Sequence, residues 1–102
     1  MNVVVRNKGI EWTEEHDQFL DRRLAGTLGE WAESIDCIHV QVLAMPKVHP
    51  DVVVCSLRVE AFSGDFVIDV CRENVFASVA TAVQRVKSRI SPTTSQAMVQ
   101  PA

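Results

Sequence analysis

Between Glu73 and Ile90 the apolar residues recur with helical period, and Val75, Val79, Ala82, Val83, Val86 and Ile90 fall on one stripe. A helix with a single apolar stripe has to lay it on another layer, which constrains the fold more than any other feature of the chain. Arg85 and Arg89 sit one turn apart along one edge of the stripe, Lys87 lies near the other, and no acid follows Glu73 in the helix. Cations suit the negative end of a helix dipole, so the strip has a purely local explanation. It gains weight against the whole chain, where thirteen Asp and Glu outnumber ten Lys and Arg for a net charge of −3. A cationic strip on an acidic protein limits where a polyanion docks.

The layer under that helix is legible upstream. Asn2 to Lys8 predicts a short strand with Val3 and Val5 on one face. Cys37 to Ala44 alternates, with Ile38, Val40, Val42 and Ala44 pointing one way and Cys37, His39 and Gln41 the other. Val52 to Phe62 alternates again, placing Val53, Cys55, Leu57, Val59 and Ala61 inward and Ser56, Arg58 and Glu60 outward. Phe66 to Cys71 makes a fourth strand with Phe66, Ile68 and Val70 inward. Met45 to Asp51, which holds Pro46 and Pro50, and Ser63-Gly64-Asp65 provide the turns.

A second helix begins at Thr13, a good N-cap, followed by Glu14, Glu15 and Asp17 at the positive end of the dipole. Phe19, Leu20, Leu24, Leu28, Trp31 and Ile35 form its stripe. Gly26 and Gly29 each cost roughly 1 kcal/mol relative to Ala, which predicts fraying or a kink in the second half.

The order β-α-β-β-β-α, with every element one-sided, predicts an α+β two-layer sandwich. A four-stranded mixed sheet carries both helices on one face; strands one and two run parallel and the hairpins antiparallel. Val3, Val5, Val40, Val42, Cys55, Leu57, Val59, Ile68, Leu20, Leu24, Val79, Val83 and Val86 are its expected core. Residues 1–91 make one domain, of a size to bury a single modest core, and 92–102 an aperiodic, disordered tail.

Several function classes lose support at once. No apolar run approaches the length that crosses a bilayer, and Met1 to Arg6 lacks the layout of a secretory signal. Cys37, Cys55 and Cys71 are odd in number and widely spaced, as expected for reduced thiols in a cytoplasmic protein. No Gly-rich phosphate loop, nucleophile triad order or HExxH motif is present, so no enzyme is expected.

At this point the residues resemble the ribosome hibernation-promoting factor family, also called ribosome-associated inhibitors or sigma-54 modulation proteins. The resemblance covers residues 1 to about 90. It rests on Lys8 and Glu11-Trp12-Thr13 entering the first helix, then Arg22-Arg23-Leu24-Ala25 and Leu28-Gly29-Glu30-Trp31. His39, Val75-Phe76-Ala77 and Arg85-Val86 fit further along. It implies a non-enzymatic, stress-linked translation regulator that binds the small ribosomal subunit in the channel used by messenger and transfer RNA.

The cations it singles out for ribosomal RNA are Lys8, Arg23 and Arg85, with Arg22 and Arg89 as neighbours able to reach the same surface, and Lys87 of the cationic strip is the sixth candidate. Arg offers planar bidentate donors to phosphates, and such a face reads shape and phosphate spacing rather than base edges. The implied protein needs no cofactor and takes no small-molecule substrate. It has no membrane partner and is a monomer off the ribosome. The chain departs from the family where Ser91-Pro92 replaces a lysine-rich helix extension, where Gly26 replaces a common lysine, and where Phe76 replaces a tyrosine. Fewer cations release fewer counterions and lower the affinity. A protein-interaction module on the same fold, with weakened or lost ribosome binding, is therefore the alternative.

The remaining chemistry-bearing residues have plain explanations. Cys37, His39 and Cys71 share the outward face, but a structural zinc site takes four ligands, and ordinary strand residues with no metal are expected. Cys55 is inward and acts as a small core hydrophobe. His16 and His49 are expected in solvent, without partners. The acids Glu11, Glu14, Glu15, Asp17 and Asp21 belong to a helix N-terminus. Trp12 and Trp31 are expected to pack the helix on the sheet, with Trp12, beside Lys8, as a secondary candidate for stacking on RNA.

Overall fold

The computed structural model describes residues 1–44 and 52–90. In chain order it runs β1 (Asn2–Lys8), α1 (Glu14–Leu28), a 3-10 segment (Gly29–Ser34), β2 (Ile35–Ala44), β3 (Val53–Ala61), β4 (Gly64–Arg72) and α2 (Val75–Ile90). The four strands lie in the order β1-β2-β3-β4. β1 pairs parallel with β2, and both hairpin pairs are antiparallel. Both helices cover one sheet face, as the one-sided patterns require. The expected loop at Met45 to Asp51, His49 within it, and the tail from Pro92 lie outside the described residues.

The core forms where the inward residues of β2, β3 and β4 meet the two helical stripes. Leu20, Leu24, Leu28, Ile38, Val40, Val42, Cys55, Leu57, Val59, Val70, Val79, Ala82, Val83 and Val86 are all buried. Ser78 is the buried polar side chain among them, and its hydroxyl donates to the Val53 carbonyl at 2.8 Å, tying α2 to β3. Val3 does not belong to this core: it is 37 % exposed. β1 is an edge strand, so Val3 meets neighbours on one side only, while Val5 and Ile68 pack partly against the core.

Ile35 also moves. It sits four residues after Trp31 and so satisfies the helical period, yet it opens β2 and is fully buried there. The α-helix gives way to a tighter 3-10 winding at Gly29, which the two glycines and the lack of a basic last turn favour. The pairing then slips between Ile35 and Cys37, because Ile35 faces Ala61 while Cys37 faces Glu60. Asp36 is the extra residue of this bulge, and so Ile35 and Ile38 are both inward although three positions apart.

Two local devices position the helices. Gly9 leaves β1 with φ +74°, and a Cβ there would approach the Ala44 side chain and carbonyl at 3.3 Å, so the turn into α1 takes glycine. Thr13 caps α1: its hydroxyl accepts from the His16 amide at 3.3 Å, while His16 Nδ1 accepts from the Thr13 amide at 3.2 Å. His16 is therefore half-buried and partnered rather than free in solvent. At α2 the Asn74 carboxamide oxygen accepts from the Ala77 amide at 2.8 Å.

Candidate nucleic-acid interface

The sheet directions fix how the helices lie. β1, β2 and β4 run the same way, and α1 follows β1 while α2 follows β4. Both helices therefore start at one end of the sheet and run back in parallel. Ring contacts along their seam agree. Phe19 meets Phe76 edge-on at 5.0 Å, and His16 lies 5.2 Å from Phe76 on one side and 5.2 Å from Trp12 on the other. Trp12 also donates its indole N–H to Asp17 at 3.3 Å. This aromatic row fills the seam between the helix starts.

The row ends at Arg23, whose guanidinium lies 5.5 Å from the Phe19 ring centre. Arg23 then shares an open depression of about 430 Å³ with Ala80, Thr81, Gln84 and Arg85. Two of the six candidate cations thus meet across the helix seam, one from each helix. Arg22 is exposed beside Arg23 on α1.

The other three candidates separate. Lys87 lies over the Trp31 ring at 6.0 Å, toward the 3-10 segment. Arg89 lies over the Phe66 ring at 5.0 Å, beside Ser63, Gly64 and Asp65 at the β3–β4 hairpin. Lys8 ends β1, at the end of the molecule where the helices begin and where Glu14, Glu15 and Asp17 cluster. Arg89 is the fifteenth residue of α2, so roughly 21 Å of helix separates its level from that end. The six cations do not converge on one rim.

One cation near the seam escapes the sequence patterns. Arg72, at the end of β4, donates to the Thr81 hydroxyl at 2.9 Å, and Thr81 lines the Arg23–Arg85 depression. Its Nε also bonds Glu73 at 3.1 Å, and this bond holds the Glu73 carboxyl below its ordinary range. The adjacent Arg72-Glu73 pair looks self-neutralising in sequence, and the nine-residue reach to Thr81 depends on the turn between them.

The outward sheet face carries a different chemistry. The registers place Val4, His39, Arg58 and Val67 in one row across the four strands, and Arg6, Gln41, Ser56 and Asp69 in the next. His39, Cys37 and Glu60 form one cluster on this face, with their donor atoms within 4.8 Å of one another. Cys71 is not part of it. It pairs through Val54 with the level of Leu43, at the other end of the strands. Cys55 is fully buried, and burial, with Asp69 adding to it, pushes its thiol up from 9.0 to about 12, so it stays protonated and unreactive.

No family model matches the sequence, and no curated protein matches it. Solved structures do match in three dimensions. The chain is similar to a ribosomal subunit interface protein from Coxiella burnetii, with a TM-score of 0.79 and 9 % identity over 93 % of this chain and 99 % of that one. It is also similar to the N-terminal domain of Protein Y from Thermus thermophilus, with a TM-score of 0.71 and 15 % identity over 87 % and 94 % of the two chains. At these identities the likeness establishes a shared fold, and that fold is the one the sequence resemblance implied.

Proposed function

We propose that this chain is a ribosome-associated translation regulator that binds the small ribosomal subunit, contacts ribosomal RNA in the messenger and transfer RNA channel, and restrains translation under stress. The observation that carries this is the fold: it is shared over almost the full length of a protein named for the ribosomal subunit interface. The chemistry is compatible. Arg23 and Arg85 offer two guanidinium groups from neighbouring helices across an open depression, a geometry suited to successive phosphates of a structured RNA. The role is one of binding and occlusion without catalysis, in the cytoplasm where ribosomes work. No described helix is long and apolar enough to cross a membrane.

The test is co-sedimentation of the purified full chain with isolated small and large subunits, alongside a cell-free translation assay. Selective pelleting with small subunits and a fall in translation are expected. Failure to pellet with either subunit at low salt removes the proposal. The second reading, an interaction module that has lost ribosome affinity, then takes its place. It draws support from Lys87 and Arg89, which lie over aromatic rings of their own chain, and from the net charge of −3.

A further inference from the structure

The cluster on the outward sheet face joins three different donor atoms on two paired strands. Cys37 and Glu60 are direct cross-strand partners, and His39 is two residues along β2 from Cys37, on the same face. Cross-strand partners have Cβ atoms about 5 Å apart, which lets their side chains close over one point. His39 Nε2 already lies 3.2 Å from Glu60 Oε1. Both strands are internal to the sheet and paired on each side, so the backbone beneath the three residues is held. The bulge at Asp36 turns Cys37 to the outward face although Ile35, two residues before it, is inward.

We infer that Cys37, His39 and Glu60 form a binding site for a divalent cation of the zinc type. Thiolate, imidazole and carboxylate together suit a borderline-soft ion, whereas magnesium and calcium take oxygen. Metal–ligand bonds of about 2.0 to 2.3 Å place tetrahedral donors roughly 3.3 to 3.8 Å apart. The present separations of up to 4.8 Å exceed that range by about 1 Å, a gap that side-chain rotation on fixed strands is of a size to close. Three protein donors and a water complete four-coordination, the ligand count of an open rather than a closed zinc site.

The half-buried setting admits the ion, because the His39 and Glu60 side chains are 42 % and 32 % exposed. Binding replaces the thiol proton of Cys37 with the metal and releases that proton to solvent. Arg58 is a competing cation, at 3.9 Å from Glu60 Oε1, but its side chain is 61 % exposed, so the solvated stem leaves it room to give way to an ion. The site lies on the sheet face away from the helix pair. Its fate is therefore independent of the ribosome proposal.

The experiment titrates the reduced full chain with Co²⁺ and then displaces it with Zn²⁺. One equivalent of Co²⁺ should raise the visible bands of a tetrahedral site and a thiolate-to-cobalt charge-transfer band, and Zn²⁺ should abolish both. Cys37→Ser, His39→Ala and Glu60→Gln should each weaken binding at least tenfold, while Cys71→Ser leaves it unchanged. Circular dichroism of each variant separates loss of the site from loss of the fold. In the wild type, Zn²⁺ should also slow alkylation of Cys37 without slowing that of exposed Cys71. Absence of the charge-transfer band, its loss in Cys71→Ser, or equal binding by the wild type and the folded Cys37→Ser variant overturns the site.

Discussion

Arg23 and Arg85 carry the sharpest consequence of the structure, because they are the two candidate cations that share one depression. Replacing both by Glu removes two phosphate contacts from the proposed complex. Each contact contributes about 0.7 to 0.9 to the slope of log affinity against log salt. A fourfold rise in salt, from about 50 to about 200 mM, therefore costs roughly 2.6- to 3.5-fold per contact, and roughly 7- to 12-fold for the pair. The wild type should lose that much more affinity than the double variant across this range.

The variant should also fold. Both residues are exposed, Arg and Glu have similar helix propensity, and the stacking of Arg23 on Phe19 contributes only about 0.5 to 1 kcal/mol. The assay is sedimentation with small subunits at stepped salt. Arg89→Glu is the informative comparison, since that side chain lies over Phe66 at the hairpin, and it should change the slope less. Outward Arg58→Glu should change it little. A double variant with the wild-type slope, or an Arg58 variant that flattens it as much, would refute a helix-seam interface.

Three further outcomes are expected. Thr13→Ala removes the α1 cap and should cost about 1 kcal/mol, a fall of roughly 4 to 8 °C in Tm by calorimetry. Cys55 is held protonated in the fold to about pH 12 but ionises near 9 when unfolded, so stability present below pH 9 is lost as pH rises. Urea titrations from pH 8 to 11 should show the wild type losing about 1.4 kcal/mol per pH unit above 9 relative to Cys55→Ala; parallel curves would refute this. Cys37→Ser with Cys71→Ser should leave co-sedimentation with small subunits unchanged, and a chelator should do the same. Loss of binding in either arm would place the thiols or a metal in the ribosome interface.

Much of the architecture was legible because it follows from local periods. Period-two alternation in β2, β3 and β4 and the single stripes of α1 and α2 state which face each element buries, and two one-sided layers have one way to meet. The errors fell where a local pattern had two solutions. Ile35 fits the helical spacing from Trp31, and only the pairing slip before Cys37 shows that it belongs to the sheet. Val3 alternates correctly, but alternation does not tell an edge strand from an inner one. Side-chain destinations were less legible still. Glu60 joins Cys37 and His39, and Cys71 does not, because hairpin register rather than sequence distance brings them level. Lys87 and Arg89 are spoken for by Trp31 and Phe66, two rings from other elements.

The parallel arrangement of the helices decides which cations matter most for a polyanion. Two parallel macrodipoles place about one negative unit in total at the shared C-terminal end, where Lys87 and Arg89 lie. Those two cations, both on α2, are therefore partly spent against the helix ends beside them, and their rings restrict them further. At the opposite end Glu14, Glu15 and Asp17 offset the positive dipole end of α1, at the level of Lys8, while the first turn of α2 carries no acid and is preceded by Glu73, which is paired with Arg72. Arg23 is the tenth of fifteen residues in α1 and Arg85 the eleventh of sixteen in α2, so Arg23 is clear of the acidic first turn of α1 and both are short of the last turn. Dipole effects fade within the terminal turn, so neither guanidinium group is drawn on by a helix end, although Arg23 also lies over the Phe19 ring. On the proposed function, the anion affinity of this acidic chain is expected at the middle of the helix seam, between Arg23 and Arg85, and a bound RNA should be centred there rather than spread along both helices.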